Sequence, residues 1–173
     1  ETAAKAFELT DRADLVGRAI SILANKAGIY GMIGGQSVDV EYTDRPVTKS
    51  QLEFIYELKT AALLEAAMMI GAVLAGADDN QIKAAEQIAH HVGMAFQIRD
   101  DILDVISTTE ELGKPVKSDE KNNKTTYVTI YGLDGASKLV EEYSHTAMTL
   151  LDQVCPNASF LKRLLEYLIV RKK

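Results

Sequence analysis

The string Phe96-Gln97-Ile98-Arg99-Asp100-Asp101-Ile102-Leu103-Asp104 is the part of this chain best suited to chemistry. On a helix, residues three and four apart share a face, with Cβ atoms about 5–6 Å apart. Gln97, Asp100 and Asp104 then form one column, with Gly93 a turn earlier. Each residue turns about 100°, so the column borders the seam that carries Phe96 instead of opposing it. Two carboxylates in one column repel, and they gain most from a cation between them. Mg²⁺ takes hard oxygen ligands, keeps several waters, and is typically held by one or two carboxylates plus substrate phosphates. The spacing therefore suits a metal that in turn holds a diphosphate. Asp101 projects in another direction and is the weaker candidate ligand. Taken alone, the string is better explained as a solvated acidic turn beside Arg99.

Three other clusters supply what a diphosphate needs. Lys59-Thr60 offers an ammonium and a hydroxyl at the head of a long apolar run, where a snorkelling lysine is the plainer alternative. Gln36 and Asp39 share a helix face after Gly34-Gly35, and are either exposed or lining a cavity. The segment from Gly113 to Lys124 places Lys114, Lys117, Lys121 and Lys124 beside the acidic helix, with Asp119 among them. Those amines suit closure over phosphates; taken by itself, the segment is better explained as a solvated loop.

The elements that must position these groups are helices. Proline occurs only at 46, 115 and 156, each where an apolar period of three to four residues stops. The pattern predicts helices at about 1–9, 12–42, 49–76, 79–107, 125–131, 134–154 and 158–171. Thr48 with Gln51 reads as a capping box, and Asp78 or Asp79 as a later N-cap. Ile82, Ala85, Ala89, Val92, Phe96, Leu103 and Ile106 form a stripe that must face other helices. The only long segment without helical periodicity is about 108–124, and long irregular loops in compact domains are often functional. The expectation is one all-α helical domain over 1–173.

Bulk properties narrow the class further. A chain of 173 residues, 47% hydrophobic and 25% charged, can bury one core. Its formal charge of −6 argues against a nucleic-acid partner. The single cysteine, Cys155, excludes an internal disulfide, fits a reducing, cytoplasmic setting, and reads as a small buried hydrophobe. The apolar run from Ala61 to Ala77, broken only by Glu65, falls short of the roughly 20 residues a membrane span requires. It reads as a buried core helix.

Taken in order, the motifs resemble those of the trans-type isoprenyl diphosphate synthases, the family of geranyl, farnesyl and geranylgeranyl diphosphate synthases. The resemblance runs through Gly35-Gln36 with Asp39, then Lys59-Thr60-Ala61-Ala62-Leu63. It continues through Gly93, Phe96-Gln97 and Asp100-Asp101-Ile102-Leu103-Asp104 to Gly113-Lys114, Asp119 and Lys124-Thr125-Thr126-Tyr127. It implies a helical bundle of the isoprenoid synthase type, lacking its N-terminal helices. By the resemblance, Asp100 and Asp104 belong to a second aspartate-rich motif that binds Mg²⁺. Lys59, Thr60 and Gln97 would lie by the allylic carbon and its leaving group. Lys114 and Lys124 would hold the allylic diphosphate, Asp119 would order metal-bound water, and Gln36 and Asp39 would line the cavity. The implied reaction joins an allylic prenyl diphosphate to isopentenyl diphosphate, in a homodimer.

One departure matters. The family carries a first aspartate-rich motif followed by arginines on an earlier helix, and no such string precedes residue 100 here. The chain is therefore expected to hold half of the metal site and to be inactive alone. Three other readings are a class I terpene cyclase, a non-catalytic helical subunit of the same fold, and a di-metal bundle. The cyclase usually carries a different metal motif on the later helix. The di-metal bundle needs repeated Glu-x-x-His pairs, of which only Glu142 with His145 has the spacing.

Overall fold

The computed structural model describes residues 2–106 and 124–170. Among these residues the regular structure is helical. A short helix α1 (Thr2–Lys5) and a 3₁₀ turn (Ala6–Glu8) lead into α2 (Ala13–Ala27) and α3 (Met32–Glu41). Helix α4 (Lys49–Ile55) passes through a π-helical turn (Tyr56–Ala61) into α5 (Ala62–Leu74). Then come α6 (Asp79–Ile106), α7 (Tyr127–Val154) and α8 (Ser159–Val170).

Local chemistry sets the helix starts much as the sequence predicts. After Pro46, Thr48 Oγ1 accepts from the Gln51 N–H (3.3 Å), and Gln51 Oε1 accepts from the Thr48 N–H (2.8 Å). The same reciprocal box opens α6, where Asp78 Oδ1 accepts from the Gln81 N–H (2.9 Å) and Gln81 Oε1 from the Asp78 N–H (3.0 Å). Each satisfies two amides that a helix start leaves without intrahelical partners. Helix α7 is bent at Gly132 (φ 71°), which separates the two helices expected at 125–131 and 134–154.

The expected helix over 12–42 is instead two. The Gly28 N–H donates to the carbonyls of Ala24 and Asn25 (3.0 and 3.2 Å), and its ψ of −162° turns the chain outward. This break lets α3 leave the line of α2 and cross the π turn. Cys155 is exposed, not buried, because it stands just past the end of α7. Ile106 is exposed too, at the last turn of α6.

Helix α6 is the central element. Of the expected stripe, Ile82, Ala85, Ala89, Val92 and Leu103 are buried and Phe96 is half-buried; Ile88, Met94, Ala95, Ile98 and Ile102 are buried as well. It packs on α5, the π turn, α7 and α8. The main core joins its apolar sides to Leu52, Ile55 and Tyr56, to Tyr127, Val140, Ala147 and Leu151, and to Leu165 and Ile169. The Ala61–Ala77 run forms a core helix on one side only, since Leu63 and Leu74 are exposed. No helix among the described residues is long and apolar enough to cross a membrane.

Candidate functional site

The sequence pattern expects an unbroken helix over 49–76, but the turn bearing Lys59 and Thr60 is π-helical. A π turn carries one extra residue per turn, so it changes the direction in which following side chains leave the axis, and such turns are frequent at functional sites. Here it aims Lys59 at α3 and Thr60 at α6. Lys59 Nζ donates to Asp39 Oδ2 at 2.5 Å. Lys124 Nζ approaches the other oxygen, Asp39 Oδ1, at 3.8 Å. Thr60 Oγ1 donates to Gln97 Oε1 at 2.9 Å. Gln97 stands one turn before Asp100 on α6, and Asp104 follows one turn later.

Two glycines make this approach possible. A Cβ on Gly35 would stand 2.4 Å from the Lys59 nitrogen and 2.8 Å from Leu58 Cβ. Only a residue without one lets α3 lie directly on the π turn, with Asp39 a turn beyond Gly35. A Cβ on Gly93 would stand 2.6 Å from Ala61 Cβ and 2.7 Å from Ala61 Cα. That contact draws α6 against the head of α5, with Thr60 and Gln97 meeting one turn above it.

The structure thus brings Lys59 and Lys124 to Asp39, and brings Thr60, the neighbour of Lys59, to Gln97, which stands one turn from Asp100. Gln36 is half-buried on the same face of α3 as Asp39. Asp104 is buried, whereas Asp100 is half-buried. Lys114 and Asp119 lie outside the described residues. A cavity of about 360 Å³ opens beside Asp39, Lys124 and Thr125. Its wall includes Arg45, a cation the sequence reading missed, although its place before Pro46, between α3 and α4, marks it as a turn residue. Among the described residues, no three His, Cys, Asp or Glu side chains are arranged to cage a metal. Half-buried Asp100 is the member of the expected column placed to meet an ion that draws its remaining ligands from water and phosphate, as Mg²⁺ does, whereas Asp104 is 4% exposed and closed to solvent.

Sequence reasoning also missed a charged cluster further down α6, on the same helical face as Gln97. Buried Glu65 of α5 accepts from Lys26 of α2, and His90 Nδ1 lies 3.1 Å from Glu65 Oε1. Lys26 also binds Glu86 at 2.5 Å. Spacing gave one hint, since Glu86 and His90 stand four apart. Lys26 is distant in sequence from both. Burial pushes Glu65 toward the neutral form, but hydrogen bonds from His90 and Lys26 outweigh it and hold the carboxyl below its ordinary range. The bond to Glu65 raises the His90 imidazole above its usual value, against the opposing effect of burial.

The His90 shift has a definite sign. A raised folded pKa stabilises fully below the unfolded value, near 6.5, and the contribution fades as pH rises through the folded value. His90→Gln is therefore expected to destabilise the chain more at pH 6 than at pH 9, measured by urea midpoints at both.

A family model described as polyprenyl synthetase matches residues 2–157. The chain belongs to the polyprenyl synthetase family. It is 45% identical over 121 residues to the farnesyl diphosphate synthase of Geobacillus stearothermophilus, covering 70% of this chain and 41% of that one. It is 38% identical over 154 residues to the farnesyl diphosphate synthase of Bacillus subtilis, covering 89% and 52%. Among solved structures it resembles a geranyltransferase from Helicobacter pylori complexed with magnesium and isoprenyl diphosphate. That match has a TM-score of 0.76 and 31% identity, and covers 91% of this chain and 52% of the other. The chain spans about half the length of the curated relatives it matches. Family membership and the all-helical isoprenoid synthase fold agree with the expectation drawn from the motifs.

Proposed function

We propose that this chain supplies the diphosphate-holding part of a prenyltransferase that joins an allylic diphosphate to isopentenyl diphosphate with Mg²⁺. The observation that carries this reading is the convergence of Lys59 and Lys124 on Asp39, with the adjacent Thr60 bonded to Gln97, itself one turn from Asp100. The names of the relatives, and of the geranyltransferase with magnesium and isoprenyl diphosphate, point the same way.

Losing diphosphate from an allylic carbon in a partly apolar site is prohibitive without charge neutralisation. Asp100 and Asp104 would hold Mg²⁺, which would supply that neutralisation. Lys59 and Lys124 add fixed positive charge where negative charge develops on the leaving group. Asp39 keeps both amines in place until phosphate oxygens take over their hydrogen bonds. In this reading Lys114 and Asp119 contribute from the segment beyond α6, and Gln36 adds a polar group on the Asp39 face of α3, although it is not part of the wall of the 360 Å³ cavity. The Thr60 hydroxyl and the Gln97 carbonyl turn oxygen toward the electron-poor carbon. Isopentenyl diphosphate then attacks it, and the proton lost from the new chain passes to the released diphosphate. The chain acts as one helical domain within a cytoplasmic homodimer. Because its sequence holds a single aspartate-rich string, it does not turn over alone.

Titration of the chain with inorganic pyrophosphate, with and without Mg²⁺, tests the binding step. Binding is expected only with Mg²⁺. Asp100→Asn is expected to weaken it by about tenfold or more, since a hydrogen-bonding or ionic partner of full charge is worth about 1.5–3 kcal/mol. Equal binding with and without Mg²⁺, or an unaffected Asp100→Asn variant, would refute the reading. Appearance of a prenyl product when the chain alone meets both diphosphates would refute its dependence on a second aspartate motif.

A further inference from the structure

The second aspartate of the D-D-x-x-D string does something the column does not. Asp101 is 4% exposed. Tyr56 Oη donates to both its oxygens, at 2.8 Å to Oδ1 and 2.7 Å to Oδ2. The backbone N–H of Tyr127 donates to Oδ2 at 3.1 Å. Tyr56 and Tyr127 are buried in their turn, and their rings pack at 5.3 Å. Each donor stands three residues from a candidate phosphate ligand in sequence. Tyr56 opens the π turn, and Lys59 and Thr60 follow within it. Tyr127 opens α7 three residues after Lys124, where a Thr126–Thr129 capping box fixes the start of the helix.

We propose that Asp101 is a positioning residue, a buried three-way tie that holds the π turn and the start of α7 in fixed relation to Asp100. The inference rests on the diphosphate reading above and adds to it a division of labour within one motif. Asp100 faces the metal, and its neighbour faces inward and sets where the amines stand. The geometry supports this in two ways. The tie joins three segments remote in sequence through one carboxylate, so its loss frees Lys59 and Lys124 to drift relative to Asp100 together. Both Asp101 oxygens already accept hydrogen bonds from protein donors in the core, which is what a positioning group requires.

The test uses Asp100→Asn, Asp101→Asn, Tyr56→Phe and the double variant of the last two. Each is titrated with pyrophosphate across a range of Mg²⁺ concentrations, after thermal unfolding shows which are folded at the assay temperature. Asp101→Asn and Tyr56→Phe are each expected to weaken pyrophosphate binding about tenfold or more at saturating Mg²⁺, the scale of a small misplacement of positioned groups. The Mg²⁺ midpoint is expected to stay near that of the parent chain, while Asp100→Asn moves it upward. The double variant is expected to lose no more than the worse single, because both act through one bond. A purely global loss of stability would leave binding by the folded protein unchanged. Should Asp101→Asn fail to fold, Tyr56→Phe carries the test alone, since it deletes one hydroxyl and keeps the packed ring.

Two results overturn the proposal while the diphosphate reading stands: a Mg²⁺ midpoint that moves with Asp101→Asn or Tyr56→Phe as it does with Asp100→Asn, or Tyr56→Phe binding pyrophosphate like the parent. Absence of Mg²⁺-dependent binding in the parent chain overturns both.

Discussion

Replacing Glu65 with alanine is expected to destabilise the chain by about 3 kcal/mol, the lower end of the cost of stripping one partner from a buried ion pair. The Glu65 side chain is 8% exposed and faces Lys26 and His90. Removal leaves Lys26 with Glu86 as its remaining carboxylate partner in the cluster and leaves His90 without its bond. Glu86 is the more exposed of the two carboxylates, at 35%, and this places the expected cost at the lower end. The control is a double substitution, Lys26→Met with Glu65→Leu. Apolar replacements of similar volume remove the desolvation penalties of Lys26 and Glu65, so the double variant is expected to recover part of the loss, the bonds to His90 and Glu86 being absent from it too. Urea midpoints of the three proteins decide it, and equal losses in the single and double variants would refute the ion-pair account.

The pH dependence of that difference follows from the two shifts. Glu65 has a depressed folded pKa, so its contribution is present above the ordinary carboxylate value, near 4.5, and is lost as pH falls through the folded value. His90 has a raised one, so its contribution is present below about 6.5 and is lost as pH rises through the folded value. Both are complete between those limits. The deficit of Glu65→Ala is therefore expected to be largest near pH 5–6 and to shrink on either side.

The sequence made the helices and the carboxylate column legible because both depend on spacing alone. A period of 3.6 places Gln97, Asp100 and Asp104 on one face whatever surrounds them, and Thr48 with Gln51 needs only three residues of context. What stayed hidden depends on partners. A π turn inserts one residue into a helical ladder without changing composition, so the Tyr56–Ala61 stretch looks like ordinary helix. Asp101 looks like part of a metal motif until Tyr56 and Tyr127, 45 and 26 residues away, are seen against it. Lys26 and Glu65, 39 residues apart, gave no local sign of pairing. Glu65 was visible only as the single charge in an apolar run, and that anomaly was the usable signal. The Gly28 break fell inside a continuous apolar pattern, so periodicity carried across it. Cys155 shows a different limit. Its residue type favours burial, but its position past the end of a helix left it on the surface.

Gly93→Val is expected to be the other large effect, and it links packing directly to the site. The new Cβ would overlap Ala61 Cα at 2.7 Å. Because that atom is backbone, no rotamer change relieves the clash, and the end of the π turn with the head of α5 must move off α6. Overpacking of this kind costs about 1–3 kcal/mol, occasionally more. The displacement falls one turn from the 2.9 Å bond between Thr60 and Gln97, so Mg²⁺-dependent pyrophosphate binding should weaken along with stability. Gly71→Ala is the matched control. It lies in α5 with nothing within 4 Å of its new Cβ. It should stabilise, if anything, by up to about 1 kcal/mol through helix propensity, and it should leave binding unchanged. A compensating pair isolates the cause. Adding Ala61→Gly to Gly93→Ala removes one of the two colliding methyl groups, and partial return of both the urea midpoint and pyrophosphate affinity is expected. If Gly93→Val matches the parent chain in both measurements, the close crossing of α5 and α6 is not what holds Thr60 against Gln97.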